Sequence, residues 1–142
     1  MTRIFWDSML FIYLFQKDPV YWERVASLRR QSVERGDEIC TSHLALGEIL
    51  AGAYRDKEEA TALAIRDGMA RANIRLLPFD QQSVEVFARV RAEHRTAAAD
   101  TIHLACAASY GVDLFITEDK KLQKLRVPGI KFVVGLDTNL FD

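Results

Sequence analysis

"AAADTIHLACAASYGVDLFITEDKKL", residues 97–122, decides how the rest of the chain is read. Residues 97–111 are rich in alanine, which favours helix and lets a helix pack closely. Gly111 supplies the left-handed residue on which such a helix stops. The apolar run "DLFIT" (113–117) then reads as a strand, and "EDKKLQKL" (118–125) as a short helical piece. A helix that feeds straight into a buried strand is half of a parallel crossover unit.

The same alternation extends in both directions. "RIFW" (3–6) reads as a first strand, followed at once by a helix over 8–15. "KDPVYWERVASLRRQSVERG" (17–36) reads as a helix with Asp18 as cap, Pro19 in its first turn and Gly36 as stop. "EICTS" (38–42) is a second strand, and Ser42 caps a helix to about Ala53. "DKEEATALAIRDGMARA" (56–72) reads as an exposed helix capped by Asp56. "IRLLPF" (74–79) is a third strand, Asp80 caps a helix to about His94, and "IKFVVG" (130–135) is a fifth strand. The expectation is one α/β domain over 1–142, a three-layer sandwich with a mostly parallel sheet of about five strands.

Bulk properties narrow the function classes. Hydrophobic residues make up 49% and charged residues 27% of 142 residues, the balance of a globular domain with a real core. The net charge of −1 does not advertise polyanion binding, so contact with nucleic acid would need local basic patches or metal ions. Cys40 and Cys106 are the only cysteines, with no CxxC, which suits a reducing cytoplasm and offers neither disulfide framework nor zinc site. The apolar opening "RIFWDSMLFIYLF" (3–15) is interrupted by Asp7 and falls short of the roughly 20 residues of a membrane span.

Parallel sheets bind ligands at the carboxyl ends of their strands. Asp7 follows strand one, Glu118 and Asp119 follow strand four, and Asp100 opens the helix that feeds strand four. Glu48 sits on an otherwise apolar helix after strand two. Carboxylates gathered at one sheet edge repel one another unless a cation sits among them. Oxygen donors suit Mg²⁺ or Mn²⁺, ions that can activate water against a phosphodiester. Asp113 lies at the opposite sheet edge and reads as a turn residue.

This ordered set of acids, with the 97–122 segment, resembles the PIN-domain nucleases, most closely the VapC-type toxins of toxin–antitoxin pairs. The resemblance covers the whole chain. It implies that Asp7, Glu48, Asp100 and Asp119 form a catalytic quartet, that Asp7, Asp100 and Asp119 hold Mg²⁺ or Mn²⁺, and that RNA is cleaved by metal-activated water. Ser8 and Thr117 would support the first and last acids, and Glu118 competes with Asp119 for the fourth place. "DSM" (7–9) stands where the family has "DTN". The resemblance also implies a homodimer and an antitoxin partner. A non-toxin PIN nuclease in RNA processing, or a PIN-fold binding module, remains the alternative.

Other chemistries lack their residues. Met9 occupies the place of the second aspartate of a haloacid-dehalogenase-like phosphatase, and no GxGxxG or GKS/T loop is present. Asp100 and His103 share a helix face, but no third nitrogen or sulfur ligand is evident. Arg89, Arg91 and Arg95 before Asp100, and Lys120, Lys121, Lys124 and Arg126 after Asp119, are the candidates for RNA phosphates or, equally, solvated helix faces. Tyr21, Trp22, Val25 and Leu28 with Phe11 and Leu14 offer either core or a groove for an antitoxin peptide, and Met69 with the alanines of 57–72 either a dimer face or packing.

Overall fold

The computed structural model describes residues 1–138. The chain runs β1 (Arg3–Trp6), α1 (Ser8–Phe15), α2 (Trp22–Arg35), β2 (Glu38–Ser42), α3 (His43–Arg55), α4 (Glu59–Arg71), β3 (Arg75–Leu77), α5 (Gln81–His94), α6 (Ala98–Tyr110), β4 (Leu114–Ile116), a 3₁₀ turn (Leu122–Lys124) and β5 (Phe132–Val134). The five strands form one parallel sheet in the order β3-β2-β1-β4-β5. The α/β sandwich expected from the sequence is the one observed.

Side-chain alternation along the short strands splits the core in two. Ile4, Trp6, Ile39 and Ile116 pack against α1 to α4, through Phe11, Val25, Leu28, Ile49 and Ile65. Phe5, Cys40, Leu77 and Phe115 face the other way, onto Val90 of α5 and Leu104 and Ala107 of α6. Phe5 and Phe115 are register partners, and their rings stack 4.6 Å apart. Small side chains let α6 come close: a Cβ on Gly129 would stand 2.5 Å from the Ala108 carbonyl oxygen, and Gly129 also has φ +102°.

Strand order places the functional edge. From β1 the chain steps outward to β2 and β3, then returns through α5 and α6 to β4 on the other side of β1. The carboxyl ends of β1 and β4 are therefore the switch point at which a cleft opens.

Two caps differ from expectation. Asp18 does not cap α2: its Oδ2 accepts the N–H groups of Val20 (3.0 Å) and Tyr21 (2.8 Å), which stabilises a separate turn, and the helix starts at Trp22. Asp56 ends α3 rather than starting the next helix. Its N–H bonds the Gly52 carbonyl, Lys57 turns left-handed, and α4 begins at Glu59. That helix is not exposed all round, since Ala62, Ile65 and Met69 are buried. By contrast Ser42 and Asp80 cap α3 and α5, and Gly36 and Gly111 end α2 and α6, as read from the sequence.

Candidate active site

Asp7 is buried where β1 becomes α1, and its surroundings make that tolerable. Its N–H extends the ladder to the Ile116 carbonyl. Oδ1 accepts the Ser8 N–H at 2.7 Å, and Oδ2 accepts the Thr117 hydroxyl at 2.8 Å. Thr117 Oγ1 in turn accepts the Asp119 N–H at 3.1 Å. One buried hydroxyl thus ties the first acid to the loop that carries the last. Ser8 acts through its backbone, and Thr117 through its side chain.

The two neighbours after β4 diverge. Asp119 Oδ1 accepts the Lys121 N–H at 2.9 Å, a local turn that leaves its other oxygen uncommitted. Glu118 reaches away and accepts the Leu136 N–H at 2.7 Å through Oε1.

Asp100 lies in the first turn of α6. Burial pushes its carboxyl above the usual range, and repulsion from Asp7, Asp119 and Glu48 adds to this, partly offset by His103. Asp7, Asp119 and Glu48 therefore all bear on Asp100, although the four acids come from four places in the chain. Glu48, on α3, contacts His103 of α6 at 2.7 Å between Oε1 and Nε2. Ser42 Oγ lies 2.7 Å from the other ring nitrogen of His103.

Among the described residues, neither Lys nor Arg forms an ion pair with any of the four acids, and no three His, Cys, Asp or Glu side chains are grouped so as to hold a metal ion as they stand. An all-oxygen donor set suits a hard divalent cation by its chemistry. It does not fit a thiolate site. Burial pushes the Cys40 thiol up to about 12 and the Cys106 thiol up to about 11, so neither is a nucleophile or ligand near neutrality.

The basic residues sort by partner. Arg89 pairs with Glu85 at 3.1 Å, Arg91 donates to the Thr96 carbonyl, and Lys120 meets Asp137 at 3.7 Å. The side chains of Arg95 and Lys121 have no such partner among the described residues. Lys124 and Arg126 border a separate hollow beside β5 with Lys131.

A groove of about 670 Å³ lies between α1, α2 and α4, floored by Trp6 and Phe11 and walled by Leu14, Phe15, Val33 and Met69, with Arg29, Arg30 and Glu34 also lining it. The indole N–H of Trp6 is buried without a hydrogen-bond partner among the described residues. Of the groove residues expected from the sequence only Phe11 and Leu14 belong here. Val25 and Leu28 are core, and Tyr21 stacks on Tyr13 at 4.6 Å. Met69 is buried, so it packs and does not present a dimer face.

A parallel sheet with helices on both faces and carboxylates at its switch point defines a class of acid-cluster α/β domains. The chain belongs to the PIN domain family, whose model matches residues 4–128. In solved structures it is similar to VapBC2 from Rickettsia felis bound to a promoter DNA fragment: 14% identity, TM-score 0.73, covering 94% of this chain and 98% of that one. It is similar to a toxin–antitoxin complex from Klebsiella pneumoniae at 22% identity and TM-score 0.63, covering 89% and 94%. It also resembles VapC20 of Mycobacterium tuberculosis, a sarcin–ricin loop cleaving toxin, at 16% identity and TM-score 0.62, covering 79% and 86%. No curated protein matches the chain in sequence.

The residue that sequence reading left without a role is His103. Its link to Glu48 and Ser42 spans three elements. The only local signals were a serine at a helix cap and a histidine one turn after an aspartate.

Proposed function

We propose that this protein is an Mg²⁺- or Mn²⁺-dependent endoribonuclease of the cytoplasm and the toxin of a type II toxin–antitoxin pair. The observation that carries the reading is that Asp7, Asp119 and Glu48 bear on Asp100 near the β1/β4 switch point, with no lysine or arginine ion-paired to any of the four among the described residues. Membership of the PIN family and the likeness in fold to toxin structures support it. Among the described residues no helix is long and apolar enough to cross a membrane.

Asp7, Asp100 and Asp119 would hold the ion, with Thr117 fixing the first against the third. When bound, the ion neutralises the acid cluster and activates water against the phosphodiester. Glu48 would orient the attacking water and take its proton on Oε2, the oxygen that His103 does not engage, as the P–O ester bond breaks and the leaving oxygen takes a proton from solvent. Arg95 and Lys121, whose side chains have no partner among the described residues and which lie near Asp100 and Asp119 in sequence, bind RNA phosphates. Glu118, committed to Leu136, is a structural residue.

The groove between α1, α2 and α4 receives an apolar helix of the antitoxin. A homodimer would use residues of α4 that face solvent, such as Leu63, and not Met69.

The test is cleavage of RNA by the purified protein in Mg²⁺ or Mn²⁺, in EDTA, and in Asp7→Asn. Metal-dependent cleavage lost in the variant is the expected result. Cleavage in EDTA, or full activity in Asp7→Asn, overturns the mechanism, and no cleavage by the wild type favours a PIN-fold binding module.

A further inference from the structure

The geometry points to His103 as a positioning residue that clamps Glu48, through a hydrogen-bonded chain Ser42–His103–Glu48 running from α6 across to the start and middle of α3. The inference rests on the nuclease reading above for what Glu48 does, and on the structure alone for how Glu48 is held.

The directions of the two bonds follow from counting donors. An ionised Glu48 can only accept, so Nε2 of His103 must carry a hydrogen. A neutral ring then has a bare Nδ1, which needs a donor. Ser42 Oγ lies 2.7 Å away, and it already accepts the Ala45 N–H at 2.9 Å as the cap of α3. Its hydroxyl hydrogen is therefore free to go to Nδ1, and no other acceptor for it is found among the described residues. Every donor and acceptor in the chain is satisfied in this one arrangement. The ring is also fixed sterically: His103 is 2% exposed and Ser42 fully buried, with Phe5 tilted against the imidazole.

This clamp pins the Glu48 carboxylate through Oε1 and leaves Oε2 unengaged by the histidine, an order that a side chain 38% exposed to solvent would not otherwise hold. Sequence had Ser42 as a helix cap only, and the same hydroxyl sets the tautomer of a histidine 61 residues away.

Two measurements decide it. In ¹⁵N-labelled full-length protein, long-range ¹H–¹⁵N correlations of the His103 ring show an Nε2–H tautomer with a slowly exchanging proton, and that proton exchanges fast in Glu48→Ala. On a mixed-sequence RNA hairpin carrying a fluorophore and quencher, in Mn²⁺, His103→Phe loses about 10- to 100-fold in kcat with little change in KM. His103→Gln, which keeps an N–H donor, recovers part of that loss. An Nδ1–H tautomer, wild-type kcat in His103→Phe, or equal losses in both variants that follow a lowered Tm each overturn the proposal. If the wild type cleaves no RNA in either metal, the nuclease reading falls and the ring proton alone decides whether the clamp exists.

Discussion

Asp113 and Asp100 stand at opposite ends of the same sheet and hold their protons in opposite ways. Asp113, at the amino edge, accepts the Arg3 N–H at 2.8 Å and meets Lys131 Nζ at 2.9 Å. The Arg3 hydrogen bond, then the Lys131 one, hold its carboxyl below the usual range. Asp100, at the carboxyl edge, is pushed up by burial and by three neighbouring acids. The amino edge is closed by its own cations: Arg3 also donates to the Tyr110 carbonyl at 2.8 Å and lies over its ring, and Arg75 approaches Glu38 at 3.9 Å. A structural aspartate arrives with its counter-ion built into the fold. Asp100 pairs with no lysine or arginine among the described residues and bears the repulsion of Asp7, Asp119 and Glu48.

The sharpest way to break this contrast is to remove one charge from the carboxyl edge and measure cleavage. Asp7→Asn is expected to lower kcat on the order of 10³-fold, about 4 kcal/mol in the barrier. The fold should survive, because the amide oxygen can still accept the Ser8 N–H and the amide NH2 can donate to Thr117 Oγ1. Mn²⁺ should raise the Tm of the wild type and leave that of Asp7→Asn nearly unchanged, since an ion at 100 times its Kd stabilises by about 2.7 kcal/mol. An equal rise in both would put the ion elsewhere.

The amino edge should behave in the opposite sense. Asp113→Asn loses a charged acceptor for Arg3 and Lys131 and is expected to cost about 1–2 kcal/mol in denaturant unfolding, with cleavage per folded molecule unchanged. Its pH dependence has a definite sign. The folded carboxyl lies below its unfolded value of about 3.9, so the stabilisation is fully present above that value and is lost as pH falls through the folded one. The gap between wild type and variant should begin to narrow below about pH 4 and close as pH falls through the folded value. A constant gap down to strong acid would mean the charge contributes nothing.

The contrast also marks what could be read before the fold was known. Asp7 in an apolar run, Asp100 in front of an alanine-rich helix and Asp119 after a strand were all legible, because chain position relative to a strand end fixes which sheet edge a residue meets. Ser42, Asp80, Gly36 and Gly111 were legible as caps for a similar reason, their hydrogen bonds being local. Asp18 and Asp56 misled because a carboxylate near a helix can serve a preceding turn or the previous helix equally well. The His103 clamp was not legible, since it is made only when α6 packs against α3. Nor was the division of α2 between core and groove, where Val25 and Leu28 face inward and Arg29 and Arg30 line the hollow.

Asp100→Asn should stabilise the metal-free protein, by about 0.5–1 kcal/mol, the range for partly exposed charge pairs. The same substitution weakens ion binding, so Mn²⁺ should reverse the order of stability of wild type and variant. A variant less stable than wild type in EDTA would show that Asp100 is held as Asp113 is, by partners of its own.

The smallest effects concern the basic residues, and here partners again decide. Arg95→Glu and Lys121→Glu remove cations that have no side-chain partner among the described residues, so each should weaken RNA binding and reduce the salt slope of log K by about 1. Arg89→Gln removes a cation already paired with Glu85 at 3.1 Å on an exposed helix face, so RNA affinity should stay within about twofold. Fluorescence anisotropy of a labelled RNA hairpin across a salt series separates them, in the Asp7→Asn background so that the probe stays intact. Arg95 carries a further signature, because it ends α5 in the left-handed region at φ 52°, where glycine is less strained. Arg95→Gly should therefore hold or raise Tm while losing RNA affinity. A fall in both would assign Arg95 to the fold and move the phosphate contact to Lys121 alone.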